Sequence, residues 1–358
     1  MEIQQLKCDS SADFADHEQV VYGHDKRSGL RAIIAVHSTA LGPSAGGCRR
    51  WCYASENAAI TDALRLSRGM SFKNALAGLP FGGGKAVILA EPGVPASAQE
   101  FQAFGRFVQL LEGQYITAED VGVSTDDMQQ VSTQTGFVSG LPQTGSAVGG
   151  DPSPWTALGV FLSIQKALGR MDLAGVTVAV QGVGHVGMHL CRLLHDAGAT
   201  LKVADIHKPN VRQAVQEFAA TEVSVDDILS TSADVLAPCA MGGVINAKTV
   251  DALDVTLIAG AANNQLATPA DGENLRQRGI AFLPDYVINA GGIIAVGLEY
   301  LGGATQQQLQ ERIEQIPVRV EELMAKARDE GVAPGVVADR AAQSLINANP
   351  TDAPSQVA

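Results

Sequence analysis

The chain has 358 residues, more than one typical hydrophobic core needs, and this length predicts two domains. Its composition, 46% apolar and 18% charged, is typical of a globular protein, and a formal net charge of -13 would repel nucleic acid and anionic membranes. No uncharged apolar run approaches the roughly 20 residues of a membrane span, and the N-terminal sequence does not resemble a signal peptide. We therefore expect a cytoplasmic protein with no nucleic-acid or membrane partner.

The cysteines argue against disulfides and metal. Five cysteines scattered over the chain are an odd count, which favours free thiols in a reducing compartment. The one close pair, Cys48 and Cys52, has no nearby Cys or His that could complete a zinc site. We expect no metal ion.

The first third of the chain mixes predicted strands and helices. "QVVYG" and "LRAIIAVHST" flank a turn and predict a hairpin, and "KAVILA" and "YITAED" predict two further strands. Ser55 can cap a helix that runs to about Phe72, "SAQEFQAFGRFVQLLEG" predicts a second helix, and Ser124 with Asp127 predicts a capped third. The loop 140–154, rich in Gly, Pro and Ser, predicts the domain boundary.

From Trp155 onward, strands and helices alternate. Strands are predicted at "VTVAVQ", "TLKVAD", "ADVLAP", "VTLIAG" and "IAFLPD". Repeated strand–helix units predict a doubly wound parallel sheet, so the fold class is α/β with a Rossmann-type second domain.

One segment has the spacing of a dinucleotide-binding loop. Gly182, Gly184 and Gly187 follow a predicted strand and open a predicted helix, and the next strand ends in Asp205, 18 residues after Gly187. The pyrophosphate would lie on the helix N-terminus. The alternative is an ordinary tight turn of an α/β domain. The full candidate loop consists of Gly182, Val183, Gly184, His185, Val186 and Gly187.

Asp205 favours NAD over NADP as the cofactor. Its carboxylate would accept a hydrogen bond from the ribose 2′-hydroxyl and repel a 2′-phosphate. His207 and Lys208 follow closely and could weaken that repulsion, so the preference stays open at this point.

The stretch "LAGLPFGGGKAVIL" raises two alternatives, a phosphate loop and a substrate site. A Walker loop needs Ser or Thr directly after its Lys, but Ala86 follows Lys85. It also needs a first Gly five positions before the Gly that precedes the Lys, but Leu79 lies five positions before Gly84. The remaining hypothesis is a substrate site built around Lys85, with Lys73 twelve residues earlier.

Two lysines and a carboxylate could share the chemistry of such a site. Desolvation and a neighbouring cation both lower the pKa of a lysine, whose neutral amine can then act as a general base. On this hypothesis Lys85 is the base, Lys73 binds a carboxylate and Asp120 lies at the end of a strand. The alternatives are a snorkelling Lys73, a surface Lys85 and Asp120 as a helix cap.

The chain resembles the glutamate/leucine/phenylalanine/valine dehydrogenase family over nearly its whole length. The segments that carry the resemblance are "GPSAGGCRR", "GMSFKNALAGLPFGGGKAVI", "TAEDVG", "GDPSPWTALGV", "AGAANNQL" and "PDYVINAGGII". The length is similar to that of the leucine and phenylalanine enzymes rather than the longer glutamate enzymes. The resemblance implies an NAD-dependent, reversible oxidative deamination of an L-amino acid to a 2-oxo acid and ammonia.

The resemblance also implies roles for individual residues. Lys73 would bind the substrate carboxylate with backbone help from Gly46 and Gly47, Lys85 would activate water, and Asp120 would exchange protons with the substrate amine. Thr156 and Asn264 would hold the carboxamide side of the nicotinamide, and Asn289 would lie near the substrate. The implied division is a substrate domain of residues 1–145, joined by a C-terminal helix at about 331–358, and an NAD domain of residues 146–330, with a cleft between them. We also expect a homo-oligomer.

The substrate is predicted to be an apolar amino acid and not glutamate, because the motifs place no Lys or Arg at the far end of the pocket. Leucine-type relatives often carry a bulky Leu where this chain has Ala45, which favours phenylalanine or broad acceptance. Ala118, Ile293 and Val296 would form an ordinary aliphatic wall. We favour leucine and its branched relatives, with phenylalanine as the alternative.

Two other classes of protein are considered. A non-catalytic NAD-binding sensor would not need the set of Lys73, Lys85 and Asp120. A hydroxyacid dehydrogenase would need a histidine as acid–base, and none of the seven histidines lies in a comparable motif.

Overall fold

The computed structural model describes residues 1–142 and 148–348, which divide into two compact units. Unit 1 comprises Met1–Gly150, Val296–Gln306 and the C-terminal residues 342–348, and unit 2 comprises Asp151–Ala295 and Gln307–Ala341. Five residues of the predicted boundary loop, 143–147, lie outside the described residues. Of the C-terminal segment expected to join the first domain, residues 331–341 lie in unit 2.

Unit 1 is built on a mixed six-stranded sheet. Its strands are β1 (Glu2–Gln5), β2 (Gln19–Asp25), β3 (Leu30–Ser38), β4 (Ser44–Trp51), β5 (Gly82–Leu89) and β6 (Tyr115–Glu119). The order across the sheet is β1-β2-β3-β5-β4-β6. The predicted hairpin is confirmed as β2–β3, and β4 runs parallel to both β5 and β6 at one side of the sheet.

Three helices cover the two faces of this sheet: α1 (Glu56–Leu76), α2 (Ala98–Gln109) and α3 (Thr125–Ser132). Leu64 of α1 packs with Ile33 and Val87 on one face, while Phe104 of α2 packs with Ile34 on the other. Strand side chains alternate between faces, so β3 and β5 contribute to both cores.

The helix caps follow the sequence closely. The Ser55 side chain accepts a hydrogen bond from the Ala58 amide, and the capping box of Ser124 and Asp127 is present, which confirms both predicted helix starts. Helix α1 continues to Leu76 instead of ending near Phe72, so Lys73 lies within its last turn.

Unit 2 contains a fully parallel sheet, as predicted. Its elements are α4 (Ser153–Leu168), β7 (Thr177–Gln181), α5 (His185–Asp196), β8 (Thr200–Ala204), α6 (Lys208–Phe218), β9 (Thr221–Glu222), β10 (Val235–Pro238), β11 (Leu257–Ile258), α7 (Pro269–Gln277), β12 (Ala281–Phe282) and α8 (Asp285–Ile288). The strand order is β12-β11-β10-β7-β8-β9. The chain order reverses at β7, and parallel sheets bind ligands at the carboxyl ends of the strands that flank such a point.

The last three helices are α9 (Gly291–Leu301), α10 (Gln306–Glu330) and α11 (Pro334–Asn347). Helix α10 is rich in charged residues, and its apolar residues, among them Ile313 and Val320, are buried. Within residues 1–142 and 148–348, no helix is both long and apolar enough to cross a membrane.

Candidate active site

The three glycines before Lys85 belong to strand β5, and this corrects the expectation that Lys85 opens the strand. They are required because their neighbours leave no room for side chains. An added Cβ would lie 1.9 Å from the Ser38 carbonyl oxygen at Gly82, 2.0 Å from the Ser71 amide nitrogen at Gly83, and 2.7 Å from the Tyr115 ring at Gly84. The glycines therefore let helix α1 and strands β3 and β6 pack directly against the backbone that carries Lys85.

Lys85 and Asp120 form an ion pair. The Nζ atom of Lys85 lies 2.7 Å from Oδ2 of Asp120, and the two side chains are 6% and 19% exposed. Lys85 comes from β5, while Asp120 directly follows β6 on the other side of β4. The side chains of Lys85 and Asp120 can meet across β4 because β4 has glycines here: a Cβ at Gly47 would lie 2.9 Å from Cβ of Asp120.

The environment of Asp120 favours its ionised form. Burial works against the charge, but the ammonium of Lys85 and the guanidinium of Arg49 outweigh it and lower the pKa of Asp120 to about 2. The carboxylate is therefore ionised across the physiological range and can accept hydrogen bonds or a proton from a bound amine.

Strand β4 presents Gly46 and Gly47, the two predicted backbone contacts of the substrate. The buried Tyr115 hydroxyl donates to the Gly46 carbonyl at 2.6 Å and lies 3.3 Å from the Gly47 carbonyl. A Cβ at Gly46 would lie 1.9 Å from the Gly84 carbonyl oxygen. The Tyr115 side chain, which sequence reasoning did not identify, thus fixes the backbone at both glycines.

Lys73 is half-buried in the last turn of α1, and its neighbour Asn74 fixes that turn to the sheet. The buried Asn74 amide donates to the Gly82 carbonyl at 2.6 Å and to the Ala45 carbonyl at 3.3 Å. The turn that carries Lys73 is therefore tied directly to β4 and β5.

The structure places the predicted substrate residues in both units. Ala45 on β4 and Ala118 on β6 are each 7% exposed, and Val296 of α9 also lies in unit 1. Asn289 and Ile293 lie in unit 2. Asn289 is 2% exposed and donates to the Ala261 carbonyl at 3.0 Å and to Oδ1 of Asn263 at 2.8 Å. Its own Oδ1 is buried and has no hydrogen-bond partner within the described residues.

The loop between β7 and α5 has the geometry that a pyrophosphate needs. Gly182 has φ +92, and a Cβ at Gly187 would lie 2.1 Å from the Gly182 carbonyl oxygen, so both positions need glycine. Gly184 is the N-cap of α5 and no side chain caps that helix, which leaves its first amides for an anion. Val183 lies in this loop, and His185 and Val186 are the first residues of α5.

Asp205 follows β8 beside this loop. Its Oδ2 accepts a hydrogen bond from the Val183 amide at 2.8 Å, and its Oδ1 accepts one from the His207 amide at 2.7 Å. Lys208, which could have offset the charge of Asp205, instead lies 2.6 Å from Glu222. The glycine loop, the uncapped start of α5 and Asp205 fit a dinucleotide cofactor.

The two predicted nicotinamide contacts lie in unit 2: Thr156 is in the first turn of α4, and Asn264 is in a loop. The Thr156 hydroxyl donates to the Pro152 carbonyl at 3.2 Å and crowds the Gly292 position of α9. Asn264 adopts φ +53 and its carbonyl accepts from the Gly243 amide at 2.7 Å. Their roles toward a cofactor stay predictions.

Arg49 is a site residue that sequence reasoning missed. Its Nε lies 3.2 Å from Oδ2 of Asp120 and its Nη1 lies 3.1 Å from Oδ2 of Asp62. In strand β4 the side-chain period of two places Arg49 on the same side as Gly47, where an added Cβ would meet Asp120, but this segment was not predicted to be a strand.

Comparisons with known proteins agree with this geometry. Residues 17–136 match the model of the Glu/Leu/Phe/Val dehydrogenase dimerisation domain, and residues 201–352 match that of the Glutamate/Leucine/Phenylalanine/Valine dehydrogenase domain. A leucine dehydrogenase from Geobacillus stearothermophilus is 48% identical over 92% of this chain and 91% of its own length. A phenylalanine dehydrogenase from Bacillus thermotolerans is 40% identical over 93% of this chain and 89% of its own.

A solved structure leads to the same group of proteins. The crystal structure of L-tryptophan dehydrogenase from Nostoc punctiforme aligns with a TM-score of 0.77 at 41% identity, covering 93% of this chain and 96% of that one. With matches over both halves of the sequence, the chain belongs to the Glu/Leu/Phe/Val dehydrogenase family of amino-acid dehydrogenases.

Proposed function

We propose that the chain catalyses the NAD-dependent, reversible oxidative deamination of an apolar L-amino acid to its 2-oxo acid and ammonia, with leucine and related branched-chain amino acids favoured. The observation that carries this proposal is the Lys85–Asp120 ion pair at 2.7 Å in an amino-acid dehydrogenase fold. Deamination needs a base for water and a group that exchanges protons with nitrogen, and the pair provides both.

Residues of unit 2 would hold the cofactor. The glycine loop and the uncapped start of α5 would bind the pyrophosphate, and Asp205 would bind the ribose hydroxyl. Bound NAD would supply the acceptor for the hydride that leaves the substrate Cα. The pairing of Lys208 with Glu222 supports NAD over NADP, because it leaves the charge of Asp205 less compensated.

Residues of unit 1 would carry the remaining steps. Lys73 would pair with the substrate carboxylate, while Gly46 and Gly47 would offer backbone groups beside it. After loss of the Cα hydride, water adds to the imine carbon as Lys85 takes one of its protons. Asp120 would first take a proton from the substrate ammonium and, after water has added, return it to the nitrogen. The C–N bond then breaks to release ammonia, as the remaining hydroxyl gives up its proton through Asp120 and becomes the carbonyl of the 2-oxo acid.

The choice of substrate within the apolar group rests on similarity and pocket size. The relatives named leucine dehydrogenase reach 48% identity, compared with 40% for the phenylalanine dehydrogenase. Ala45 and Ala118 are small side chains, and a wall of small residues supports phenylalanine as the second candidate. One methylene changes discrimination by only about 1–3 kcal/mol, so broad acceptance among these side chains is expected.

Two properties of the whole protein are also proposed. The match of residues 17–136 to a dimerisation domain supports a homo-oligomer. All five cysteines are free thiols, and Cys52 is exposed, which supports a reducing compartment such as the cytoplasm.

The test is NADH formation from each of the twenty amino acids at mildly alkaline pH, measured by absorbance with NAD and with NADP. We expect the largest kcat/KM with leucine, isoleucine or valine, followed by phenylalanine, and with NAD. Fastest turnover of glutamate would contradict the apolar pocket, and no turnover of any amino acid would support a non-catalytic NAD-binding sensor.

A further inference from the structure

The Asp120 carboxylate has two cationic neighbours. Lys85 Nζ lies 2.7 Å and Arg49 Nε lies 3.2 Å from the same oxygen, Oδ2. The Arg49 side chain is 21% exposed, so its charge is poorly screened by water. Lys85 can gain and lose a proton during a reaction cycle, whereas a guanidinium keeps its charge throughout.

Arg49 is itself held from the far side. Its Nη1 lies 3.1 Å from Oδ2 of Asp62, and the Tyr53 hydroxyl donates to that same oxygen at 2.7 Å. Burial disfavours the charge on Arg49, but the carboxylates of Asp120 and Asp62 outweigh it and raise the pKa of the guanidinium. The planar fork of Arg49 thus bridges two carboxylates in a fixed orientation, which a lysine could not reproduce.

We infer that Arg49 is a positioning residue for the Lys85–Asp120 pair: it orients the carboxylate and, through its permanent positive charge, lowers the affinity of the pair for protons. This inference rests on the proposed function, in which the pair must lose a proton before it can act as a base. Two groups this close titrate as a unit, so a fixed cation beside them lowers the pH at which the active, deprotonated pair is populated.

The neutral side chains near the Lys85–Asp120 pair and Arg49 do not change their protonation in the pH range of the assay. Burial raises the pKa of the Cys48 thiol and that of the Tyr115 phenol well above their ordinary values. Burial, together with the hydrogen bond to Asp62, raises the pKa of Tyr53 as well. All three stay neutral near pH 7–9.

The other charged groups lie on the elements around the pair. Lys73 is on α1, and Glu119 precedes Asp120 and accepts a hydrogen bond from the Thr125 hydroxyl at 3.0 Å. Glu100 pairs with Arg50, and Asp127 accepts hydrogen bonds from Ser124 at the start of α3. Arg49 is therefore the non-titrating cation that contacts the carboxylate within the described residues.

The experiment is the pH profile of kcat/KM for leucine deamination in the full-length enzyme, compared between wild type and R49Q. The rising limb of this profile is the range in which kcat/KM increases with pH. We expect the rising limb of R49Q to move to higher pH by about one unit or more, which is a tenfold change in proton affinity. R49K keeps the charge and should move the limb less than R49Q does.

Arg50 supplies a matched control. It is the next residue of β4, and its Nε lies 3.1 Å from Glu100 in a pair whose side chains are 11% and 10% exposed. R50Q therefore removes a comparably buried ion pair without touching Asp120. The pH profile of R50Q should have its rising limb at the same pH as wild type, even if the stability of R50Q falls.

D62N tests the direction in which the rising limb of the pH profile moves. It removes a negative charge from the far side of Arg49 and retains an acceptor for Tyr53, so the limb should move to lower pH. Structural damage would not move the limbs of R49Q and D62N in opposite directions, and D62N remains informative if R49Q does not fold.

The outcomes separate the inference from the function. Opposite shifts in R49Q and D62N, with R50Q unshifted, would support the inference. If the wild-type enzyme turns over leucine but the rising limbs of R49Q and D62N coincide with that of wild type, the inference is overturned and the proposed function stands. Absence of turnover in wild type would overturn both.

Discussion

A Cβ atom at Gly83 would lie 2.0 Å from the backbone nitrogen of Ser71 and 2.5 Å from its Cα. Helix α1 therefore packs against β5 through bare backbone, and the turn that carries Lys73 is positioned by that contact. Backbone cannot give way as the far end of a side chain can, so the glycine is a steric requirement.

We expect Gly83→Ala to destabilise the protein by about 3 kcal/mol or more, because α1 must move away from the sheet. Gly69→Ala is the control: Gly69 lies in α1 itself, an added Cβ there meets nothing within 4 Å, and replacing a helical glycine gains about 1 kcal/mol. Urea unfolding of both variants checks the prediction. Equal midpoints for the two would show that the contact is not essential.

The buried histidines make stability depend on pH. His37 is 7% exposed, its Nδ1 lies 2.7 Å from the Ser71 hydroxyl, and its ring packs edge-on against His17. Burial, together with the neighbouring His17 and Arg68, lowers the pKa of His37 from 6.5 to about 4. The unfolded chain binds this proton more readily, so the stabilisation is complete above pH 6.5 and is lost as the pH falls toward 4.

The expected loss from this group is on the order of 3 kcal/mol between pH 7 and pH 4. Urea unfolding at several pH values measures it, and His37→Asn should flatten the dependence, whereas His207→Asn at an exposed position should not. A His37→Asn variant with the full wild-type slope would assign the effect to other groups, such as His17, whose pKa burial also lowers.

Lys73 should act mainly on substrate binding. We expect Lys73→Ala to raise the KM for the amino acid about 30-fold or more, because it removes a carboxylate partner worth roughly 2–4 kcal/mol. Lys73→Arg keeps the charge and should lose less. Steady-state kinetics with leucine separate the two constants, and an unchanged KM in Lys73→Ala would remove the assigned role.

Asp205 should decide between the two dinucleotides. We expect Asp205→Asn to reduce the ratio of kcat/KM for NAD to that for NADP by about tenfold or more, since a 2′-phosphate would no longer meet a carboxylate. Glu222→Gln releases Lys208 and should shift the ratio in the same direction by less. A wild-type enzyme that uses both cofactors equally would contradict the assignment.

The sequence predicted the second unit better than the first. The strands of unit 2 are apolar runs separated by helices, so the parallel sheet and the glycine loop follow from local pattern. Strand β4 was missed because Gly46, Gly47, Arg49 and Arg50 have weak strand propensity, and only pairing with β5 and β6 on both sides makes the segment a strand.

The candidate site shows the same limit. Lys85 and Asp120 could be proposed from residue type and position, but their direct ion pair depends on the order of the strands in the sheet, where β4 lies between β5 and β6. Arg49 could not be assigned because its partners Asp62 and Asp120 are 13 and 71 residues away in sequence. The glycines before Lys85 could be recognised as close contacts, but not that Ser71, Ser38 and Tyr115 form them.

The most direct test of the central claim, that Lys85 with Asp120 performs the chemistry, is steady-state formation of 2-oxo acid from leucine by Lys85→Ala, measured alongside NAD affinity. Lys166→Ala, which removes an exposed lysine paired with Glu321, is the control and should behave as wild type. We predict that Lys85→Ala forms the 2-oxo acid more slowly by a factor of about 10²–10⁴, the usual contribution of a general base, while its Kd for NAD is unchanged. Near-normal turnover by Lys85→Ala would contradict the account.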